Sequence, residues 1–267
     1  MLKTRIITAA ILIGLLLIVI LWLPPLATVI AVTALVLAGA WEWSAFLRLR
    51  RGAGRALYVA LVAGCLPLLW QLTQAEAARR VMLTLTLVWW VVAALWVVFA
   101  PRRATAWSAA LAGVLALAPA WVAMVRLRID VPRGEQWVLF ALCLVWAADI
   151  GAYFAGRGFG RVKLAPQVSP GKTWEGVLGG LVLAARVALW GSRWFAVPVL
   201  QFVPLCLGVV AFSIVGDLTE SLLKRYAGLK DSGTLFPGHG GVMDRSDRRT
   251  IAMPALLLGI VALGVAR

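Results

Sequence analysis

Residues 197–216 indicate the fold class, and they read VPVLQFVPLCLGVVAFSIVG. The stretch contains no Asp, Glu, Lys or Arg. About 20 mostly apolar residues are what an α-helix needs to cross the hydrocarbon core of a bilayer. Charged residues begin directly after it, in Asp217-Leu218-Thr219-Glu220. The pattern predicts a membrane-spanning helix with polar side chains at one end.

The composition of the whole chain agrees with this stretch. Of its 267 residues, 63% are apolar or aromatic and 14% are charged, and the mean hydropathy is +0.93. Soluble domains are roughly 45–50% apolar and about 25% charged. A water-soluble core of this size cannot hold so many apolar side chains. A soluble domain, a disordered chain, a collagen and a disulfide scaffold are therefore excluded.

Similar apolar stretches recur along the chain. The candidate spans are 6–23, 26–46, 56–71, 81–100, 104–125, 136–155, 176–191, 197–216 and 251–266. The proline pair Pro24-Pro25 separates the first two, because proline cannot continue a helical hydrogen-bond ladder. The first span is long for a signal peptide, so we expect a retained anchor. We predict an all-α, polytopic integral membrane protein with about nine transmembrane helices.

A net charge of +15 has two common explanations, nucleic-acid binding or contact with anionic lipids and substrates. The hydropathy favours the second, so no nucleic-acid partner is expected. Lys and Arg are more frequent in the loops after the even-numbered spans, which places those loops in the cytoplasm and both termini outside. Lys3 and Arg5 do not fit this orientation, because basic residues near the N-terminus favour a cytoplasmic N-terminus.

Most of the 11 acidic residues lie from position 149 onward. Ionisable groups at membrane depth are costly and usually face a cavity or a partner. We therefore divide the chain into N-terminal scaffold and lipid-facing helices, 1–135, and a C-terminal catalytic region, 136–267, with a signature loop over 217–250. The polar cavity is expected at the cytoplasmic side.

A polar stripe follows the apolar stretch of 197–216. In a helix, the spacing i, i+3, i+4 and i+7 puts four polar side chains on one face. They are Asp217, Glu220, Ser221 and Lys224. Such a stripe suits a water-filled site. The alternative is an amphipathic helix end with a Glu220–Lys224 pair.

The next segment combines glycine, aspartate and basic residues. Pro237-Gly238-His239-Gly240-Gly241 is not helical, and its glycines let the backbone approach an anion. Asp244 and Asp247 present carboxylate oxygens of the kind that Mg²⁺ prefers. Lys224, Arg225, Lys230 and Arg245 supply charge for phosphate oxygens. A solvated loop is the alternative, and His239 suits either phosphate contact or site packing.

Two motif look-alikes occur between Asp149 and Glu175. Gly171-Lys172-Thr173 resembles the end of a phosphate-binding P-loop, but Pro166 stands where that loop needs its first glycine. Gly156 and Gly158 lack the third glycine of a dinucleotide fingerprint. Ser169-Pro170 suggests instead a helix N-cap followed by proline at the first helical position. A helix beginning there would offer an anion site with Lys172 and Thr173, or be an ordinary capped helix start.

Together these stretches resemble the phosphatidate cytidylyltransferase (CDP-diacylglycerol synthase) family. The resemblance covers about 149–250. It rests on Asp149–Tyr153, Ser169–Gly176, Gly216–Ser221, Lys224-Arg225, Lys230-Asp231, Gly233, Pro237–Gly241, Asp244-Arg245 and Asp247. Two stretches depart from the family pattern, Arg248 in place of Ser and Gly160-Arg161-Val162-Lys163 in place of Gly-Lys-His-Lys. Neither removes a carboxylate.

The resemblance implies transfer of CMP from CTP to phosphatidate, with release of pyrophosphate. It also implies Mg²⁺ held by Asp217 and Asp244, a second, monovalent cation such as K⁺, and a homodimer. The expected location is a bacterial-type cytoplasmic (inner) membrane with the site facing the cytoplasm. The residues expected in catalysis are Asp217, Asp244, Lys224, Arg225, Lys230, Arg245, Asp247 and His239. Those expected in substrate binding are Asp149, Ser169, Lys172, Thr173, Ser221, Asp231, Gly240 and Gly241.

Three other functions would each require particular features of the sequence. A CTP-dependent enzyme acting on a prenyl or archaeal lipid would share this motif class. An ion-coupled transporter would need acidic residues near the midplane and repeat symmetry, and no repeat is evident. A CDP-alcohol phosphotransferase would need an aspartate-rich helix pattern that this chain lacks.

Overall fold

The computed structural model describes residues 14–49, 52–233, 241, 243 and 249–265. Residues 14–21 form helix α1. The later helices are α2 (Pro25–Trp43), α3 (Gly52–Leu72), α4 (Glu76–Phe99), α5 (Ala106–Ile129), α6 (Gly134–Phe159), α7 (Trp174–Trp194), α8 (Val199–Ala227) and α9 (Arg249–Ala262). A 3₁₀ turn, Ser44–Leu47, continues α2. A hairpin of β1 (Lys163–Ala165) and β2 (Ser169–Thr173) joins α6 to α7.

Seven helices in the described ranges are long and apolar enough to cross a membrane, namely α2 with its 3₁₀ turn and α3 to α8. The prediction of an all-α polytopic membrane protein is confirmed, and the count of nine spans is approximate. The candidate span 6–23 is described only from residue 14. The last candidate, 251–266, forms a helix that ends at Ala262, and Gly264 beyond it has a positive φ of 69°.

The described part of helix α9 is too short to cross the bilayer alone. Its 14 residues span about 21 Å at 1.5 Å per residue, against a hydrocarbon core of about 30 Å. Most of its described side chains are nevertheless buried, including Ile251, Leu256 and Ile260. It packs against α4, α5, α6 and α8, so it contributes to the interior of the bundle.

Helix α5 is the central helix of the bundle. Within its most apolar window 67% of the residues are buried, against 17% for α3. Its alanines and Gly113 let neighbouring helices approach closely, as small residues do in membrane helix packing. Trp43 donates its indole N–H to the carbonyl of Ala109 at 2.8 Å, and the Tyr58 hydroxyl donates to that of Ala110 at 3.0 Å. These bonds tie α2 and α3 to α5.

Helices α6 and α7 pack through glycine. A Cβ on Gly151 would lie 2.3 Å from the carbonyl oxygen of Gly179, and one on Gly180 would lie 2.8 Å from that of Ala148. These distances leave no room for even a methyl group between the two backbones. The glycines therefore set the separation of the two helices that flank the hairpin.

The hairpin between α6 and α7 was not predicted. Ser169 pairs with Ala165 and Thr173 with Lys163, so the Ser-Pro pair lies on a strand, and the prediction that a helix begins at Ser169-Pro170 is wrong. Helix α7 begins at Trp174, where the Thr173 hydroxyl accepts a hydrogen bond from the N–H of Gly176 at 3.2 Å. A capping threonine closer to the apolar run replaces the predicted capping serine.

The end of the bundle away from the hairpin carries a cluster of ion pairs. Arg126 is buried, contacts Asp130 at 2.9 Å and lies over the Trp70 ring at 3.8 Å. Arg79 lies 3.9 Å from the same carboxylate, and Arg128 pairs with Glu135 at 3.5 Å. The cluster joins the ends of α3, α4, α5 and α6, so its charges serve packing.

Candidate active site

A cavity of about 560 Å³ opens between α6, α7, α8 and the hairpin. One part of its wall is apolar, from side chains such as Trp146, Val177 and Ile214. The polar part of the wall is formed by Asp149, Tyr153, Lys172, Thr173, Ser213, Asp217 and Lys224. Four charged groups from α6, β2 and α8 thus face one space, an arrangement suited to a charged ligand with an apolar portion.

Lys172 and Asp217 form an ion pair between two elements of this wall. The Lys172 Nζ lies 2.6 Å from the Asp217 Oδ1, and their side chains are 23% and 13% exposed. Lys172 comes from β2 and Asp217 from α8, so the ion pair joins the hairpin to the helix. Partly desolvated charges act more strongly on a ligand than charges in bulk water.

Glu220 and Lys224 form a second pair one turn further along α8. The Lys224 Nζ lies 2.7 Å from the Glu220 Oε1, and the glutamate side chain is 1% exposed. Lys224 also faces the cavity. The structure thus contains both features that the sequence left as alternatives, a helical ion pair and a polar site. The opposite face of α8 buries Leu218 and Leu222.

The N-terminus of α7 borders the cavity through Thr173, Gly176 and Val177. Helix N-termini attract anions because their first N–H groups lack helical partners. The positive end of a helix therefore lies at the cavity, as the sequence suggested, but it begins at Trp174 and not at Ser169.

The structure separates the expected site residues into three groups. Those on the cavity wall are Asp149, Lys172, Thr173, Asp217 and Lys224. Those away from the wall are Ser169, Ser221, Arg225, Lys230, Asp231 and Gly241, of which Arg225, Lys230 and Asp231 are exposed and Gly241 is buried. His239, Gly240, Asp244, Arg245 and Asp247 lie outside the described residues.

Glu42 lies outside the cavity wall and was not selected from the sequence, but it contacts residues of the signature loop. It is 7% exposed in the last turn of α2. Its Oε2 accepts a hydrogen bond from the Ser232 hydroxyl at 3.0 Å and one from the Met243 N–H at 2.9 Å. A carboxylate at the end of an otherwise apolar span was the available signal, because such residues usually mark function.

The carboxylates of the wall suit a hard divalent cation. Asp149 and Asp217 offer the oxygen ligands that Mg²⁺ takes, with water and phosphate completing its shell. Among the described residues no group of three or more His, Cys, Asp or Glu could hold a metal ion. The second expected ligand, Asp244, lies outside those residues.

Comparison with known proteins agrees with the motifs. The sequence model of the cytidylyltransferase family matches residues 3–262. A Pseudomonas aeruginosa protein named phosphatidate cytidylyltransferase is 42% identical over 99% of this chain and 98% of its own length. One of the same name from Haemophilus influenzae is 39% identical over 95% of this chain and 96% of its own length.

A third protein of that name, from Bacillus subtilis, is 40% identical over 46% of each chain. The matches to the first two relatives include the N-terminal helices, where the motifs gave no resemblance beyond hydropathy. The resemblance inferred from the motifs is confirmed, and the chain belongs to the cytidylyltransferase family.

Proposed function

We propose that this chain transfers CMP from CTP to phosphatidate, giving CDP-diacylglycerol and pyrophosphate for phospholipid biosynthesis. The observation that carries the proposal is the cavity in which Lys172 and Lys224 lie beside Asp149 and Asp217. Its cations suit phosphate groups, and its apolar wall suits the lipid. Family membership and the names of the full-length relatives support the same reaction and do not favour another lipid acceptor or transport.

The reaction places few demands on proton transfer. A phosphate oxygen of phosphatidate attacks the α-phosphorus of CTP, the bond to the β-phosphate oxygen breaks, and pyrophosphate leaves. A phosphomonoester has its second pKa near 6 and is largely dianionic at neutral pH, so the nucleophile needs no general base. The barrier then comes mainly from repulsion between anions and from alignment.

The proposed site residues would reduce the repulsion between the anions and align the two substrates. Lys172 and the N-terminus of α7 would hold a phosphate of CTP, and Lys224 would balance the charge that develops on pyrophosphate. Asp149 would orient the cations around it. Asp217 and Asp244 would hold Mg²⁺, which neutralises triphosphate charge when bound. A monovalent cation such as K⁺ would take a neighbouring site.

The same proposal covers location and assembly. The chain is a multi-pass membrane protein, and we place it in a bacterial cytoplasmic membrane as a homodimer, with the cavity facing the cytoplasm. The basic residues near the hairpin, among them Arg157, Arg161 and Lys163, support this orientation.

The test uses purified protein in detergent with phosphatidate and labelled CTP, with and without Mg²⁺. The expected result is labelled CDP-lipid and an equal amount of pyrophosphate, lost in Asp217→Asn. Glu76→Gln is the matched control, because Glu76 pairs with Arg80 on an exposed face of α4. Full turnover in folded Asp217→Asn would contradict the site. Transfer to a prenyl phosphate but not to phosphatidate would contradict the substrate.

A further inference from the structure

Glu42 is a buried carboxylate that binds two residues far from it in the sequence. Its partners Ser232 and Met243 lie 190 and 201 positions later in the sequence. Both donate to the same oxygen, Oε2. Burial of a carboxylate is costly unless hydrogen bonds replace its water, and bonds to a charged acceptor are among the stronger ones in proteins.

The backbone around these donors is pressed against the carboxylate. A Cβ on Gly233 would lie 2.4 Å from Oε1 of Glu42, and one on Gly241 would lie 2.3 Å from Oε2. Neither position has room for a side chain. Two glycines of the signature loop therefore permit the contact with Glu42, and Gly241 has a packing reason that the sequence did not reveal.

Met243 adds an apolar contact to the same turn of α2. Its side chain is fully buried, and its Sδ would lie 2.9 Å from a Cβ on Gly39. Gly39 and Glu42 are three positions apart, so they share one face of the helix. One helical face thus holds Met243 by both its backbone and its side chain.

We infer that Glu42 is a positioning residue for the cytidylyl transfer, acting through Ser232 and Met243. It fixes the chain at the two ends of the 232–243 stretch, and Asp244 follows Met243 directly in the sequence. The inference rests on the proposed function for its catalytic meaning. The anchoring itself is a property of the five contacting residues, Glu42, Ser232, Gly233, Gly241 and Met243.

Three variants separate positioning from simple stability. Glu42→Leu removes the acceptor, Glu42→Gln keeps one acceptor oxygen without the charge, and Ser232→Ala removes one donor. We expect Glu42→Leu to lower kcat by about 10- to 100-fold, as loss of residues that orient metal ligands does. Glu42→Gln should recover part of the loss, and the half-saturating Mg²⁺ concentration should rise in both. The exposed carboxylate variant Glu76→Gln is the control.

A double-mutant cycle tests whether the effect of Glu42 on turnover depends on its contact with Ser232. Because Glu42 acts in part through its hydrogen bond to Ser232, adding Ser232→Ala to Glu42→Leu should lower kcat no further. Full additivity, or an unchanged kcat with only a lower melting temperature, would overturn the inference. If Glu42→Leu does not fold, the Glu42→Gln and Ser232→Ala variants decide the question by the same criteria.

Hydrogen exchange measures the anchoring without turnover. The peptide containing the Met243 amide should exchange faster in Glu42→Leu than in wild type, and peptides from α3 should not change. Unchanged exchange would overturn the inference even if activity fell. Failure of the proposed function is distinct, because wild-type protein would then transfer no CMP whatever the Glu42 variants do.

Discussion

Lys172 and Asp217 lie 2.6 Å apart on the cavity wall. Replacing Lys172 by a neutral residue should therefore weaken the binding of the CTP phosphate and also remove an ion pair of Asp217. In Lys172→Met the phosphate loses a donor and Asp217 loses its ion partner. We expect kcat/KM for CTP to fall by about 10- to 100-fold, because a hydrogen bond to a charged group contributes about 1.5–3 kcal/mol. Steady-state kinetics on folded protein measures it.

Lys163→Met is the matched control for this variant. Lys163 lies on the other strand of the same hairpin and is exposed, so the loss of a general positive charge is the same. Equal losses of kcat/KM in the two variants would mean that Lys172 contributes only to the overall positive electrostatic potential and not to a specific phosphate contact.

Asp130 should matter for stability and not for the proposed chemistry. It is the common partner of Arg79 and Arg126, whose side chains are 10% and 6% exposed. Breaking a fully buried ion pair costs about 3 kcal/mol or more, and the Asp130 side chain is 27% exposed. Asp130→Asn should therefore cost less than that but still lower the melting temperature, while kcat of the folded protein is retained. Glu76→Gln, which breaks an exposed pair, should cost less than about 1 kcal/mol. A large loss of kcat in folded Asp130→Asn would contradict the assignment of Asp130 to stability alone.

Single residues were predictable from the sequence where their spacing lies within one element. The i, i+3, i+7 spacing of Asp217, Glu220 and Lys224 fixes their common side of a helix, and the structure agrees. Glu42 was not predictable as a partner of Ser232, because that contact depends on how α2 and the segment after α8 are arranged in space.

Among the elements, the contact between α6 and α7 leaves no room for added volume. Gly151→Ala would place a methyl group 2.3 Å from the Gly179 carbonyl oxygen, which forces the helices apart. We expect a lower melting temperature together with lower turnover, because the same helices carry Asp149 and the end of the hairpin.

Gly158→Ala is the control on the same helix. Nothing lies within 4 Å of a Cβ at Gly158, and alanine is the better helix former. The melting temperature should therefore stay the same or rise slightly. Destabilisation of similar size by both variants would show that the α6–α7 contact is not the cause.

The helices themselves were predictable and the hairpin was not. Apolar runs of bilayer length leave few alternatives to a helix, since every backbone group must be hydrogen-bonded within the membrane. Outside the apolar runs that constraint is absent. Ser169-Pro170 and Thr173 are both acceptable helix starts by sequence, and pairing with β1 decides between them.

On the scale of the whole molecule, the hairpin and the ion-pair cluster should lie on opposite sides of the membrane. Cys65, Cys143 and Cys206 are first replaced by alanine, and single cysteines are then placed at the exposed positions Lys163 and Gln74. An impermeant maleimide should label Lys163→Cys only in inverted vesicles and Gln74→Cys only in intact spheroplasts. The reverse pattern would contradict a cytoplasmic cavity.

The contact of Glu42 with Ser232 and Met243 also sets an order of events in time. The partners are made 190 and 201 residues after the glutamate, which is roughly 10 to 40 s at synthesis rates of about 5–20 residues per second. The second helix is therefore already in the membrane long before its partners leave the ribosome. The anchored site is completed only near the end of translation, so a nascent chain released before residue 243 lacks it.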